Sequence, residues 1–148
     1  THAFQVDADS KQRALMCAYQ LDASAPLGIV QKAPVMALSV PDMVQGAARV
    51  DDGSLILSTS YSVSSSHIFV HENVLNNEPD SAIMINNTSV PVWYLNADAL
   101  VQDNVAPPMA AEIVCFGDRV YISFESATDK YIFGHLIRGK YLYSLPIQ

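Results

Sequence analysis

Short runs of apolar, β-branched and aromatic residues recur along the chain between clusters of Gly, Pro, Asn, Asp and Ser. No stretch sustains apolar residues at the i, i+3, i+4, i+7 spacing of an amphipathic helix, so the pattern predicts strands separated by turns. A single helical turn capped by Asn96 is predicted at 96–100. The predicted strands are 13–21, 35–40, 47–50, 54–60, 67–72, 83–85, 90–95, 112–116, 119–125, 130–133 and 141–145.

Three segments rich in turn-forming residues, 22–34, 73–82 and 102–108, divide the chain. A parcel of about 45–50 residues is the size of a four-stranded propeller blade. The chain is therefore predicted to be one domain, 1–148, of about three blade-like antiparallel sheets that form a portion of a β-propeller. A β-sandwich or a small barrel is the alternative, because many short strands with frequent turns suit these folds too. The predicted parcels are about 1–46, 47–95 and 96–148.

Two segments 66 residues apart share one order of residue types. In each, proline precedes a methionine, Met43 or Met109, and an apolar run, an Asp/Gly turn and a strand containing serine follow. The turns at 51–53 and 117–118 are predicted to be tight, because Gly and Asp tolerate the positive φ that hairpins require. Repetition of a strand–turn–strand unit is typical of repeat folds such as propellers.

The composition narrows the classes of partner. Half of the residues are hydrophobic and 16% are charged, which is typical of a globular chain. Fifteen acidic residues against eight basic ones give a net charge of −7. Nucleic acids and anionic membrane surfaces select clustered Lys and Arg, so neither is a predicted partner. No apolar run is long enough for a membrane span, and residues 1–4 lack the pattern of a secretory signal. The sequence begins with Thr1 and not with methionine, so we expect a processed N-terminus at least as much as a natural start.

The cysteines and histidines do not form a metal-binding pattern. Cys17 and Cys115 lie in apolar runs and are predicted to be buried, free thiols, with a disulfide as the alternative. His67 and His71 share one face of a predicted strand. On a strand, residues four apart are separated by roughly 13 Å, which is too far for one metal ion.

The two similar segments carry a resemblance to a known family. Residues 39–46 with 53–61 resemble a blade of secreted bacterial β-propellers of uncharacterised function, and 106–112 with 120–127 are similar to the closing blade of those proteins, together with 141–145. The family pattern has Ala, an acidic residue and Gly after the second methionine, where this chain has Ala110-Ala111-Glu112. The acidic side chain is thus displaced by one position.

The resemblance implies a secreted or periplasmic protein whose propeller is longer than this chain. Three blades do not close a ring, since four is about the minimum. An unclosed fan exposes sheet edges and apolar surface, which natural proteins avoid. We therefore expect a portion of a propeller that is completed by a partner polypeptide or by a second copy.

In a propeller, the loops that lead into the innermost strands crowd a central channel. Gln45, Glu112 and Asp42 are the candidate channel residues, and their oxygen atoms suit a hard cation such as Ca²⁺. Hydrogen bonding to neighbouring backbone is the alternative role for Gln45 and Glu112. Trp93 and Tyr94 are candidates for stacking on a sugar ring, with core packing as their alternative role.

These candidates support three hypotheses for function. The first is a binding and interaction module that presents loops to a glycan, a protein or a small ligand. The second is a metal-dependent propeller hydrolase or lyase, in which a channel cation polarises a carbonyl group. The third is a structural subunit whose role is assembly.

Overall fold

The computed structural model of the chain describes residues 14–25, 33–125 and 142–146, and its secondary structure is β throughout apart from one short 3-10 helix at Val74–Asn76. The predicted all-β class is therefore confirmed. The strands are β1 (Ala14–Ala18), β2 (Met36–Val40), β3 (Val44–Arg49), β4 (Leu55–Thr59), β5 (Ser66–His71), β6 (Ser81–Ile85), β7 (Thr88–Tyr94), β8 (Leu100–Ala106), β9 (Ala110–Phe116), β10 (Arg119–Phe124) and β11 (Tyr143–Pro146).

The described strands form three open sheets in two compact units. Sheet A, in the first unit, has the order β1-β2-β7-β6. The second unit contains sheet B, with the order β3-β4-β5-β8, and sheet C, with the order β11-β10-β9. Sheets A and B each combine strands that are not consecutive in the chain, whereas sheet C contains the consecutive described strands β9, β10 and β11. β6 and β7 belong to a different unit from the strands on either side of them.

Sheet A is a mixed sheet. β1 and β2 are antiparallel, as are β6 and β7, but β2 and β7 run parallel. The expectation of purely antiparallel sheets is wrong for this pair, because a long connection allows two strands to pair in parallel. The β6–β7 hairpin turns at Asn86 and Asn87, whose φ values are 49° and 63°. Two successive positive φ angles are the conformation that two-residue hairpins favour.

Sheets B and C pack around one apolar core. Ile56 of β4 and Ile68 of β5 pack with two residues of β9 and with the alternating apolar residues of β10. The cluster consists of Ile56, Ile68, Ala110, Ile113, Val120, Ile122 and Phe124. Such alternation is expected where one face of a sheet is buried against a neighbour.

The two methionine segments have matching backbone conformations. Met43 and Met109 both have φ 65°, an uncommon value for a residue with a side chain. The Met43 carbonyl accepts the Ser60 amide at 3.2 Å, and the Met109 carbonyl accepts the Glu125 amide at 2.9 Å. A one-residue register shift follows each methionine, in β3–β4 and in β9–β10. The turns between the paired strands contain Gly53 (φ 92°) and Gly117 (φ 59°), as predicted.

Several local predictions need correction. The predicted loop 102–108 is largely strand, because β8 covers Leu100–Ala106. The predicted helical turn at 96–100 is a non-helical turn, in which the Asn96 side chain accepts the Asp98 amide at 3.1 Å. β5 lies between β4 and β8 in sheet B. The predicted strand 130–133 lies outside the described residues.

Candidate functional site

The second unit contains a cavity between sheets B and C. Its volume is about 450 Å³, within the usual range of ligand pockets. Aliphatic side chains from both sheets form its wall, and polar side chains lie on the sheet B side. The lining residues from sheet B and its first turn are Val50, Asp52, Ser54, Ile56, Ile68, Val70, Val101, Gln102 and Asn104, and those from sheet C are Val120, Leu145 and Pro146.

The polar groups of the cavity are preorganised by local hydrogen bonds. Gln102 donates from Nε2 to Oδ1 of Asn104 at 2.8 Å, and the Ser54 amide donates to the Asp52 carboxylate at 2.7 Å. The backbone and side-chain hydrogen bonds from Ser54 lower the pKa of the Asp52 carboxyl. Asn73 supports the same turn by donating from Nδ2 to the Asp52 carbonyl. These groups offer hydroxyl, amide and carboxylate atoms to a ligand, and no ammonium or guanidinium.

The predicted channel residues occupy separate positions. Gln45 is exposed on β3, and its Nε2 donates to the Met43 carbonyl at 3.4 Å. Glu112 is exposed on β9, the strand that packs against β3. Asp42 is half-buried and belongs to the first unit. Among the described residues, no group of three or more His, Cys, Asp or Glu side chains could hold a metal ion, so the calcium site stays a prediction.

Trp93 and Tyr94 are successive residues of β7 and therefore lie on opposite faces of sheet A. Trp93 is half-buried and donates from Nε1 to the Asn77 carbonyl at 2.9 Å. Tyr94 packs against the core of sheet A, and its amide donates to Asp80 at 2.8 Å. The two rings do not share one stacking surface, and both residues are held by contacts within the first unit.

The histidines of β5 have different surroundings. The Nδ1 of His67 lies 2.8 Å from Asp103 on β8, and the His67 ring stacks on Phe69. His71 is 2% exposed, and its Nδ1 has no hydrogen-bond partner among the described residues. Burial lowers the pKa of the His71 imidazole. The His67–Asp103 contact was not predicted, because it depends on the pairing of β5 with β8.

We expect His71 to make the protein less stable in mild acid. Its folded pKa is lower than that of the unfolded chain, about 6.5, so the unfolded state binds the proton more readily. The free energy of unfolding should be unaffected by this group above about pH 6.5 and should fall as the pH drops below that value. Thermal unfolding at about pH 7.5 and pH 5 measures the effect. His71→Leu should reduce the difference between the two pH values. An unchanged difference in His71→Leu would contradict the assignment.

One face of sheet C is exposed and apolar. Val114 is 58% exposed and Phe116 is 77% exposed, and their cross-strand neighbours are Tyr121 and Arg119. Ser123 lies on the same face of β10 as Tyr121. We call Val114, Phe116, Tyr121 and Ser123 the open face of sheet C. Exposed apolar patches of this kind often mark sites of protein association.

The opposite face of sheet C makes a close contact with sheet B. The Ser58 hydroxyl donates to the Ala111 carbonyl at 2.7 Å, and the Ala110 amide donates to the Ser66 hydroxyl at 3.0 Å. Gly46 lies directly against the backbone of β9. These three contacts attach the first strand of sheet C to sheet B.

Cys17 and Cys115 are both free, as predicted, but they are half-buried and not buried. Burial raises the pKa of both thiols, and the negative charge of Asp51 adds to the effect at Cys115. In the part of the chain that the structure describes, no helix is long and apolar enough to cross a membrane.

Comparison of the chain with protein-family models, with curated proteins and with solved structures gave no match.

Proposed function

We propose that this chain is a binding and interaction module that forms a portion of a β-propeller and completes its fold through the open face of sheet C. The partner is a further β-sheet, supplied by a second copy or by another polypeptide. The observation that carries the proposal is the match between β3–β4 and β9–β10. Of the positions that bury sheet B against sheet C, two are exposed on sheet C, at Val114 and Phe116, and two are half-buried, at Tyr121 and Ser123.

The match can be followed residue by residue from the methionine carbonyl contacts. It equates Ala48 with Val114, Val50 with Phe116, Ile56 with Tyr121 and Ser58 with Ser123. Ile56 belongs to the core between the sheets, and Ala48 and Val50 pack against that core. The open face therefore has apolar side chains at the positions where sheet B packs its own apolar side chains against sheet C.

Sheet B also supports the propeller interpretation by its topology. Its four strands are antiparallel and follow one another in space in the order of the chain, with β6 and β7 inserted before the last strand. Such a four-stranded antiparallel sheet is the unit of a propeller blade. In a propeller each sheet packs face to face between two neighbours, and a third sheet on the open face would continue that order.

Glu112 makes the next contact different from the one between sheets B and C. It matches Gly46, whose missing side chain lets β9 approach β3 closely. A carboxylate at this position requires a wider gap or a hydrogen-bond donor on the partner. The partner surface should therefore be apolar opposite Val114 and Phe116 and polar opposite Glu112.

The native mass of the purified chain, compared with 16.1 kDa for one copy, tests the proposal. If a second copy covers the open face, the protein associates, and Val114→Asp returns it to the single-chain mass. Val63→Asp changes another exposed valine, in a loop outside sheet C, and should leave association intact.

Binding of a dye that fluoresces on apolar surface covers the case of a different partner. A single chain that binds the dye, and loses that binding in Val114→Asp, has an open face available to another polypeptide. A cooperatively folded single chain with no such signal overturns the proposal, because the open face is then covered within the chain.

A further inference from the structure

The structure points to a second binding site, which is independent of the open face. We propose that the outer edge of β8, with which no described strand pairs, takes up an extended peptide as an added strand. The peptide places one aliphatic side chain in the cavity between sheets B and C. This site combines a strand edge without a partner among the described strands, an adjacent cavity and an acidic charge.

The strand edge is the first element. β8 is the last strand of sheet B, and among the described strands it pairs with β5 alone. Its other edge carries backbone N–H and C=O groups that an extended chain can bind. Val101 and Val105 are 68% and 70% exposed, and β8 contains no proline to block pairing.

The cavity is the second element, and it borders the same strand. Val101, Gln102 and Asn104 of β8 line it, and Leu145 and Pro146 of β11 line its sheet C side. Side chains alternate between the two faces of an added strand, so every second residue of the peptide points towards the space between the sheets. Recognition by strand addition takes its affinity from backbone hydrogen bonds and its specificity from such pockets.

The lining residues define the side chain and the charge of the peptide. Most are aliphatic and none is aromatic, so a branched aliphatic side chain fits the wall. The amides of Gln102 and Asn104 can bond the peptide groups beside that side chain. Asp52 is the only charged lining residue and the chain carries a net charge of −7, so a neutral or basic peptide is favoured over an acidic one.

Binding can be measured with a blocked peptide of sequence Thr-Lys-Leu-Lys-Thr, titrated calorimetrically into the full chain. The leucine is meant for the cavity, and the lysines point to the opposite face. We expect saturable binding that weakens about tenfold or more when aspartate replaces the leucine. Absence of saturable binding for this peptide and for its valine and isoleucine counterparts overturns the proposal.

Two variants test the location. Val101→Trp places a large ring at the cavity, where the exposed valine leaves room for it without repacking of the core. It should abolish peptide binding. Val63→Trp makes the same change at another exposed valine, outside the cavity, and should bind normally. Equal loss in both variants, or in neither, overturns the assignment to the cavity.

N-methylation of the peptide tests strand addition itself. In an added strand, alternate residues direct their N–H groups to β8, so methylation of one alternate set should abolish binding and methylation of the other should not. Binding that tolerates both sets overturns strand addition. Val114→Asp should bind the peptide as the unaltered chain does, which separates this site from the open face.

Discussion

Gly46→Ala should lower the free energy of unfolding by about 3 kcal/mol or more, at or above the upper end of the usual cost of overpacking. A Cβ at this position would lie 2.8 Å from the Ile113 amide nitrogen and closer still to the Ala111 carbonyl oxygen. Both atoms belong to the backbone of β9, so relief requires a shift of the whole strand. Chemical denaturation of the variant and of the unaltered protein measures the difference.

Gly117→Ala is the matched control. Gly117 has φ 59°, and no atom lies within 4 Å of the added Cβ. The cost there is the strain of a left-handed conformation alone, about 1–2 kcal/mol. If Gly46→Ala costs no more than Gly117→Ala, β3 and β9 do not pack as closely as the structure shows.

Ser58→Ala should lower the free energy of unfolding by about 1–3 kcal/mol, because it leaves the Ala111 carbonyl without the hydroxyl that donates to it. Ser58 is fully buried, so water does not readily replace the lost donor. This contact connects β4 to sheet C, and Ser123 is the residue of sheet C that matches Ser58. Equilibrium denaturation of a dilute sample, in which the chain is single, gives the value.

Ser123→Ala makes the same change at the matching position of sheet C. In the single chain it should alter stability by less than about 0.5 kcal/mol, as for most surface substitutions. In an assembled sample it should weaken association. A large loss of stability in the dilute Ser123 variant would show that the open face is already packed within the chain, against the proposed function.

The regularity of the sequence was sufficient for much of the secondary structure. The alternation in β10, the apolar run of β4 and the glycine turns at Gly53 and Gly117 are local features, so their strands and turns were predicted close to their observed bounds. β8 was missed because its centre is Gln-Asp-Asn, which has the composition of a loop. Its pairing with β5 supplies the hydrogen bonds that make this polar segment a strand.

The predicted site residues do not come together in the structure, because a site depends on which strands become neighbours. Trp93 and Tyr94 are adjacent in sequence and were considered together, yet the pleat of β7 separates their rings. The cavity was not predicted, since Asp52, Gln102 and Asn104 are each ordinary polar residues of turns and strands. They come together because β8 joins the edge of sheet B, far along the chain from the first turn of that sheet.

The sequence by itself determined the all-β class, the hairpin turns and the correspondence of the two methionine segments, because short-range patterning and turn chemistry control these features. Only the tertiary structure decided that β2 and β7 run parallel, that β8 is the edge strand of sheet B, and that Gly46 and Ser58 contact β9. Pairing between distant strands depends on the packing of whole sheets, and no local pattern specifies it. The same packing leaves Val114 and Phe116 of the open face exposed, because no described strand covers them.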